Sequence, residues 1–307
     1  MRQMSNYSLG GYKMDILGYQ GKICVVTGSS SGMGKATCER LISLGAKVYG
    51  LDRNKLNIEG MECFIQTDLS QKESIDEAFK KLPEHIDCFF GVAGLSGAKT
   101  SWWTTFRVNF IANKYITEQY LEKRMTQGGA IEYVTSTGGL MWEKWTREYK
   151  KVITASSWEE MEKFMRKICP KDGVGIMAYS LSKRAMNYYT HYEAVKLASK
   201  GIRVNSILPG STDTGMREEF EKMAGGKEAL LKENGAIGRL ATSEEMADPI
   251  VFMNSDMARF VSGQLLIVDA GNNSQIVLGY KKSRLNVPVA LKIYNAKFMQ
   301  NMLKKNL

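Results

Sequence analysis

Histidine and cysteine, the residues that most often bind metals or form disulfide bridges, are scarce in this chain. Only two of the 307 residues are histidines, His85 and His191, which excludes a cluster of several histidine ligands. The five cysteines are odd in number and include no Cys-x-x-Cys pair, which argues against a disulfide framework and a zinc site. We therefore predict no metal site, and we expect both histidines to be structural or surface residues.

The chain also lacks a long apolar run near its start and a flexible linker. Residues 1–20 are polar and rich in Gly and Tyr, which predicts no signal peptide and no stable membrane insertion, so we expect a cytoplasmic protein. With 44% hydrophobic residues and no segment rich in Pro, Gly and Ser, the chain can bury a full core in one unit. We expect a single domain over residues 1–273 and an extension over residues 274–307.

Acidic residues are missing from this extension, which carries seven basic ones. Without these seven charges the net charge of +10 falls to +3, so we expect no nucleic-acid partner for the body of the protein. The apolar residues Leu291, Tyr294, Phe298 and Met302 recur in the extension at helical spacing among lysines. Such a segment can lie on an anionic membrane or pack on protein, and we favour packing because this apolar stripe contains no Trp.

A glycine-rich loop, Thr27–Gly34, follows the apolar run Lys22–Val26 and precedes the helical pattern Lys35–Leu44. Strand, glycine turn and helix in this order let a pyrophosphate approach backbone N–H groups at the start of a helix. The loop is therefore a candidate dinucleotide-binding site.

Two charged residues after this loop bear on which dinucleotide it binds. Asp52 lies 18 residues after Gly34, where a carboxylate can bind both ribose hydroxyls and repel a 2′-phosphate, which favours NAD over NADP. Arg53 could hold that phosphate instead, although no Lys or Arg lies between Gly28 and Gly34. We predict NAD as the cofactor.

Further apolar runs indicate strands that alternate with helical patterns, and this alternation predicts an α/β fold with a doubly wound parallel sheet. These runs are Ala46–Leu51, Glu62–Gln66, Asp87–Val92, Ala130–Thr135, Arg203–Leu208 and Leu265–Val268.

Residues 140–174 interrupt this alternation with two amphipathic helical patterns. The second pattern begins at the capping box Ser157-x-x-Glu160, so the segment predicts an inserted helical pair. Its apolar stripes, which include Trp145 and Phe164, can seal the insertion onto the core, contact a second subunit or form a wall of a substrate pocket. We favour the packing role.

Tyr179 and Lys183 are four residues apart, so on a helix both side chains lie on one face and can point into the same cleft. A free Tyr titrates near ~10, and an acid or base works best near the operating pH, so a neighbouring cation has to lower its pKa by about 3, or about 4 kcal/mol. Lys183 is the candidate cation, which makes Tyr179 a candidate general acid and base.

Together these motifs make the chain resemble the short-chain dehydrogenase/reductase family from about Lys22 to Gly271. The matching pieces are Thr27–Gly34, Asp68 in Thr-Asp-Leu, Ala93-Gly94, Val108-Asn109, Val134-Thr-Ser136, Tyr179–Lys183, Arg203–Gly210 and Val268–Gly271. The resemblance implies a Rossmann-type fold with helices on both faces of the sheet.

The resemblance also implies roles for individual residues. Tyr179 would be the general acid and base, Lys183 would modify its pKa and bind ribose, Ser136 would hold the substrate oxygen, and Asn109 would support a proton relay. The implied cofactor contacts are Gly28, Ser30, Ser31, Gly32, Met33, Gly34, Asp52, Arg53, Asp68, Leu69, Ala93, Gly94, Tyr179, Lys183, Pro209, Gly210, Thr212 and Thr214.

The sequence departs from the family pattern at three places. Gly91-Val92 replaces the usual Asn-Asn, Ala270 replaces a Gly in Asp-Gly-Gly, and residues 140–174 are inserted before the Tyr179 helix. An insertion there resembles the bacterial 3α-hydroxysteroid dehydrogenase/carbonyl reductase branch, whose members pair through an interface that the insertion shapes. This likeness implies a homo-oligomer, with a dimer favoured over a tetramer.

Apolar residues crowd the segments beside the expected cleft, and they can either pack in the core or face a bulky hydrophobic substrate. They are Trp102, Trp103, Met216, Phe220 and Met223. We predict an NAD-dependent oxidoreductase of a secondary alcohol or ketone, with a hydroxysteroid or bile acid as the leading substrate. The alternatives are an acyl-carrier or sugar-derived carbonyl substrate, and a non-catalytic nucleotide-sensing scaffold.

Overall fold

Seven parallel strands form the central sheet of the computed structural model, which describes residues 8–9, 12–13, 15–232 and 237–281. A short antiparallel pair, β1 with β2, precedes the sheet, and each strand of the sheet begins and ends within one residue of the run that predicted it. The strands are β1 Ser8–Leu9, β2 Tyr12–Lys13, β3 Ile23–Thr27, β4 Lys47–Asp52, β5 Cys63–Gln66, β6 Cys88–Gly91, β7 Ala130–Val134, β8 Arg203–Pro209 and β9 Leu265–Val268.

The order of the strands places a crevice beside β3. Across the sheet the order is β5, β4, β3, β6, β7, β8 and β9, so the direction of winding reverses between β3 and β6. Thr27 at the end of β3 pairs with Leu51 of β4 and with Gly91 of β6. Open α/β sheets bind ligands outside the carboxyl ends of their strands at such a reversal.

Helices cover both faces of this sheet, so the predicted doubly wound α/β fold is confirmed. Strand residues alternate between the faces: Val25 and Phe89 join one buried core, whereas Val26 and Phe90 join the other. The α-helices are α1 Gly32–Ser43, α2 Lys72–Lys80, α3 Trp102–Phe106, α4 Ala112–Ile116, α5 Glu122–Arg124, α6 Thr146–Ile153, α7 Trp158–Ile168, α8 Ile176–Leu197, α9 Arg217–Ala224, α10 Lys227–Leu231, α11 Ser243–Asn254 and α12 Asn272–Val277.

Two π-helical segments, Arg107–Ile111 and Thr117–Leu121, join α3, α4 and α5 into one continuous helical stretch. A π segment rotates the residues that follow it relative to an α-helix and is frequent at functional sites. Asn109 lies in the first of these segments and is buried.

The insertion is the predicted helical pair, α6 and α7, and it packs on the same chain. Tyr149, Val152, Met161 and Met165 are buried in the core that also contains α8. This burial favours the alternative in which the stripes seal the insertion onto the core.

Polar contacts fix the middle of this insertion. Ser157 caps α7 by accepting a hydrogen bond from the backbone N–H of Glu160, whose carboxylate bonds Ser156 rather than Ser157. The ammonium of Lys114, which has no exposed side-chain surface, donates to the carbonyl oxygen of Ala155 at 2.7 Å and to Glu118 at 2.5 Å. A buried ammonium has to be paired, so these contacts hold the loop between α6 and α7 in one place.

The described part of the chain ends just after α12. Within the described ranges no helix is both long and apolar enough to cross a membrane. The predicted apolar stripe of the extension, from Leu291 to Met302, lies outside the described residues, as does the side chain of Trp145.

Candidate active site

The glycine loop lies at the carboxyl end of β3, and its glycines allow two close approaches of the backbone. Gly28 has a φ of 72°, and a Cβ there would lie 2.8 Å from the Cα of Ala93. A Cβ on Gly34 would lie 2.0 Å from the carbonyl oxygen of Gly28. The loop can therefore turn into α1 only without side chains at these two positions.

The start of α1 has free hydrogen-bonding capacity. Ser31 is its N-cap, yet the Ser31 side chain accepts no hydrogen bond from the helix, and the first turn holds no acidic residue. The first N–H groups of a helix have no partner within the helix and favour an anion. The predicted phosphate contacts of Ser31, Gly32 and Met33 therefore lie at an end of a helix that fits an anionic group.

Asp52 ends β4 beside this loop, and backbone groups orient its carboxylate. It accepts hydrogen bonds from the N–H of Ser30 at 3.2 Å and from the N–H of Asn54 at 2.8 Å. The Ser30 hydroxyl in turn donates to the carbonyl oxygen of Asn54. Arg53 is exposed, and its backbone carbonyl accepts from the Gln66 side chain. Two hydrogen bonds therefore hold the Asp52 carboxylate in place, whereas the Arg53 side chain is exposed to solvent.

A cavity of about 640 Å³ runs along this edge of the sheet, past the loop and past Asp68, whose carboxylate is held by Ser70 at 2.8 Å. It ends beside the segments after β6 and β8. The predicted cofactor residues on its wall are Gly28, Ser31, Gly32, Met33, Gly34, Asp52, Arg53, Asp68, Leu69, Ala93, Gly94 and Thr214.

The other predicted cofactor contacts, which include Tyr179 and Lys183, lie off the wall of this cavity. The backbone N–H of Ser30 donates to the Asp52 carboxylate. Pro209 ends β8, and the next residue, Gly210, lines a separate cavity of about 180 Å³ together with Asp269 and Ala270. Thr212 turns its hydroxyl to the carbonyl oxygen of Gly210 at 3.2 Å.

Thr27 ties the ends of β3 and β6 where the family pattern has an Asn-Asn pair. Its hydroxyl accepts hydrogen bonds from the N–H groups of Val92 and Ala93 at 3.1 and 3.2 Å. At Gly91 a Cβ would lie 2.6 Å from the side-chain oxygen of Asn113, so this glycine makes room for an amide from the neighbouring helix. The departure at Gly91 is therefore a local repacking.

Ser136, Tyr179 and Lys183 come together although they belong to different elements. Ser136 follows β7, and the other two lie in the first two turns of α8. The Ser136 hydroxyl bonds the Tyr179 side chain, and the Lys183 ammonium lies 5.7 Å from the centre of the Tyr179 ring. Gly138 allows this contact, because a Cβ there would lie 3.3 Å from the Tyr179 ring.

Burial affects both titrating groups of the α8 pair. It lowers the pKa of Lys183 to about 8, and the ammonium donates to the carbonyl oxygen of Val134 at 2.8 Å. The expected lowering of the Tyr179 pKa is wrong for this structure: burial raises this pKa, and the hydrogen bond to Ser136 opposes the rise. The reason is geometric, since Lys183 faces a carbonyl oxygen and the Tyr179 hydroxyl faces Ser136.

The buried side-chain amide of Asn109 makes two hydrogen bonds with the backbone of Leu95. It accepts from the Leu95 N–H at 2.8 Å and donates to the Leu95 carbonyl oxygen at 2.9 Å. A Cβ on Gly94 would lie 3.5 Å from the Lys183 ammonium and 3.6 Å from the Asn109 amide oxygen. Asn109 therefore lies near Lys183 and fixes the loop after β6.

The structure adds three polar residues that the motifs did not indicate. Ser96, Lys99 and Glu219 line the cavity, and Glu219 contacts both of the others, although Ser96 and Glu219 are 123 residues apart. No spacing in the sequence could have shown this contact.

Trp102 and Trp103 follow the packing alternative rather than the alternative of a substrate wall. Trp102 is buried and stacks on Phe106, with ring centres 5.2 Å apart. The indole N–H of Trp103 donates to the carbonyl oxygen of Cys169, and the Arg166 guanidinium lies 3.9 Å from its ring centre. Both therefore pack within the protein.

Comparisons with known proteins assign the chain to a family. Residues 22–152 match the family model described as short chain dehydrogenase, and residues 165–273 match the model described as enoyl-(acyl carrier protein) reductase. The coniferyl-alcohol dehydrogenase of Pseudomonas sp. (strain HR199 / DSM 7063) is 32% identical over 259 residues, which cover 83% of this chain and 98% of that protein. The chain belongs to the short-chain dehydrogenase/reductase family. It is thus an oxidoreductase of a family that binds nicotinamide cofactors.

Solved structures agree on the fold of this short-chain dehydrogenase/reductase. The 3-alpha-hydroxysteroid dehydrogenase from Pseudomonas sp. B-0831, complexed with NADH, has a TM-score of 0.69 at 22% identity and covers 85% of this chain and all of its own. A short chain dehydrogenase from Burkholderia cenocepacia J2315, in complex with NADP, has a TM-score of 0.63 at 24% identity and covers 83% of this chain and 99% of its own. The two cofactors differ, so these structures leave the choice between NAD and NADP open.

The residues on the cavity wall fit a nicotinamide dinucleotide. Unpaired N–H groups at the start of α1 suit its pyrophosphate, the Asp52 carboxylate suits ribose hydroxyls, and the cavity continues from there to the segments after β6 and β8. The start of α1 and Ser136, which follows β7, thus both lie at the carboxyl ends of strands, along one edge of the sheet.

Proposed function

We propose that the protein is an NAD-dependent oxidoreductase that transfers a hydride between the nicotinamide and the carbon of a secondary alcohol or ketone. The observation that carries this proposal is the convergence of Ser136, Tyr179 and Lys183 at the carboxyl end of the sheet that holds the glycine loop. Non-catalytic nucleotide sensing would not require a Ser-Tyr hydrogen bond beside a buried ammonium.

Bound NAD supplies the hydride acceptor, and the side chains handle the proton. Tyr179 takes the hydroxyl proton of the alcohol as a general base and returns it to the carbonyl oxygen in the reverse direction. Ser136, which already bonds Tyr179, holds the substrate oxygen beside it. Lys183, whose ammonium donates to the carbonyl oxygen of Val134 and lies 5.7 Å from the centre of the Tyr179 ring, would bind the ribose of the cofactor. Asn109 supports the site by fixing the Leu95 loop.

The preference for NAD rests on the fixed carboxylate of Asp52. The 2′-phosphate of NADP would meet this negative charge, and the N–H groups of Ser30 and Asn54 hold the carboxylate in place. Changing Asp52 to Ala should reduce the ratio of kcat/KM for NAD to that for NADP by about tenfold, the value of one lost charge contact of about 1.4 kcal/mol. Arg53→Ala is the control and should leave the ratio above one. A wild-type enzyme that uses NADP more efficiently would contradict the proposal.

For the substrate we propose a bulky hydrophobic alcohol, with a hydroxysteroid or bile acid as the leading class. The helical insertion before the Tyr179 helix and the apolar side chains of Met216 and Phe220 near the site support it. An aromatic alcohol is the second candidate, because the relative with 32% identity is a coniferyl-alcohol dehydrogenase.

A turnover panel separates these substrates. NADH formation would be measured with hydroxysteroids, bile acids, coniferyl alcohol and sugars, and NADH consumption with acyl-carrier ketones. We expect the highest kcat/KM with a steroid or bile acid. A higher value for coniferyl alcohol would assign the second candidate, and a preference for sugars or acyl-carrier ketones would contradict the proposed class.

We also propose a homo-oligomer, with a dimer favoured. Exposed apolar side chains remain on the described surface, among them Phe260, Val195 and Met257, but the main apolar residues of the insertion are used inside the chain. Sedimentation of the purified enzyme tests this, and a monomer at working concentration would contradict it.

A further inference from the structure

Helix α9 reaches across the cavity and contacts its opposite wall through Glu219. One carboxylate oxygen lies 3.2 Å from the Lys99 ammonium, and the other accepts a hydrogen bond from the Ser96 hydroxyl. All three residues line the cavity, and the Glu219 side chain is only 15% exposed although it belongs to a surface helix. The contact therefore joins the segment after β8 to the segment after β6.

The two sides of this contact differ in how firmly they are held. Ser96 is buried, its hydroxyl accepts from the N–H of Ala98 at 3.1 Å, and the preceding Leu95 is bonded on both sides by Asn109. By contrast, α9 contains no buried residue. Because little apolar surface holds this helix, a charge-assisted bond to a fixed wall accounts for a large part of its attachment.

The position of α9 also determines what covers the catalytic tyrosine. Phe220 follows Glu219, and its ring lies edge-on to Tyr179 with ring centres 5.5 Å apart. When Glu219 is bonded to Ser96 and Lys99, Phe220 therefore forms an apolar wall against Tyr179.

We propose that Glu219 is a positioning residue of the lid that α9 forms over Tyr179, because its bonds to Ser96 and Lys99 hold Phe220 against Tyr179. Glu219 acts through Phe220 and does not take part in proton transfer. The role in catalysis rests on the proposed function, whereas the attachment of the lid does not.

The neighbouring residue provides a matched control. Glu218 lies on the same helix and carries the same charge, but it is exposed to solvent. Glu219→Ala removes the attachment, and Glu218→Ala removes one charge without it. Glu219→Gln is a milder variant, since its amide oxygen can still accept from Ser96 but has no charge to attract Lys99.

Two measurements test the proposal on the full chain. Amide hydrogen exchange of residues 217–224, corrected for intrinsic rates, should be about tenfold faster in Glu219→Ala, less so in Glu219→Gln, and within about twofold of wild type in Glu218→Ala. With NAD and a substrate from the panel, Glu219→Ala should raise the substrate KM about tenfold and change kcat less than about threefold, because fewer molecules have a closed lid.

Each of the two measurements can contradict a different part of the proposal. Equal exchange in the Glu219 and Glu218 variants would overturn the attachment, whatever the activity. If exchange responds as expected but KM and kcat do not separate, the lid has no positioning role. If the wild-type enzyme oxidises or reduces nothing in the panel while exchange responds, the proposed function fails and the attachment of α9 by Glu219 is supported.

Discussion

The two ends of the candidate active site, the glycine loop and the group of Ser136, Tyr179 and Lys183, are built in different ways. At the nucleotide end, one segment of eight residues, Thr27–Gly34, supplies the turn and the start of α1, and its function depends on missing side chains. At the proposed catalytic end, the side chains of Asn109, Ser136 and the Tyr179–Lys183 pair come from three elements, and Ser136 and Tyr179 are 43 positions apart in the sequence. A local motif therefore defines the first end, whereas the sheet has to bring the second end together.

The charges at the two ends differ as well. The Asp52 carboxylate accepts hydrogen bonds from two backbone N–H groups at the edge of the cavity, which hold it in place. The Lys183 ammonium is buried against one carbonyl oxygen, and burial disfavours its charged form. The buried charge of Lys183 beside Tyr179 therefore lowers the stability of the fold.

The largest expected effect is at the catalytic end. Tyr179→Phe removes the hydroxyl that we propose as the acid and base, and turnover should fall by about 10²–10⁴, the usual contribution of such a group. Binding of NADH, followed by fluorescence titration, should be nearly unchanged. Tyr188→Phe on the same helix is the control, and turnover of Tyr179→Phe within threefold of wild type would refute the mechanism.

At the nucleotide end, Gly34→Ala tests whether the loop requires a residue without a side chain at this position. The new methyl group would lie 2.0 Å from the carbonyl oxygen of Gly28, so the backbone has to shift, and the free energy of unfolding should fall by about 3 kcal/mol. NADH affinity should fall at least tenfold. Gly215→Ala is the control, since its methyl group meets no atom within 4 Å on the same cavity wall, and equal affinities of the two variants would show that the close approach is unimportant.

Lys183→Met tests whether burial disfavours the charged form of Lys183, through the pH dependence of the free energy of unfolding. The folded pKa of Lys183, about 8, lies below its unfolded value of 10.5, so between these values the unfolded chain binds more protons. The contribution of Lys183 to the free energy of unfolding therefore rises from pH 8 to 10.5, by about 3 kcal/mol in total.

Urea unfolding of wild type and Lys183→Met at pH 7.5 and pH 10 measures this contribution, because all other titrations cancel in the difference. We expect wild type to gain stability relative to the variant as pH rises. Parallel pH dependences would show that the ammonium is not penalised by burial.

The smallest effect concerns a strained residue that is not glycine. The nucleotide loop has glycines at positive φ, such as Gly28 at 72°, but Ala270 has a φ of 51°. Ala270→Gly should raise the free energy of unfolding by about 1 kcal/mol, because the left-handed conformation strains a residue with a Cβ. Ala198→Gly, at an exposed helical position with a φ of −56°, should lower it by about 0.5–1 kcal/mol. A destabilised Ala270→Gly would contradict the strain.

Much of the fold could be predicted because its signals are local. Buried parallel strands are continuous apolar runs, so Lys22–Val26 and Leu265–Val268 mark β3 and β9 within one residue. The start of α1 was placed three residues late, because the glycines at its N-terminus do not look helical. The lowered Tyr179 pKa was wrong, since spacing on a helix gives the same face but not the direction of each polar atom.

By itself, the sequence determined the elements, the order in which they alternate and the glycine loop, because each depends on residues close together along the chain. The Tyr179–Lys183 pair and the N-cap of α7 at Ser157 likewise depend on local spacing. Only the tertiary structure decided the bond of Glu219 to Ser96, the use of Asn109 by Leu95 and the packing of the insertion, since these contacts join distant segments. Burial, which sets the pKa of Lys183, likewise arises only when the strands and helices enclose it.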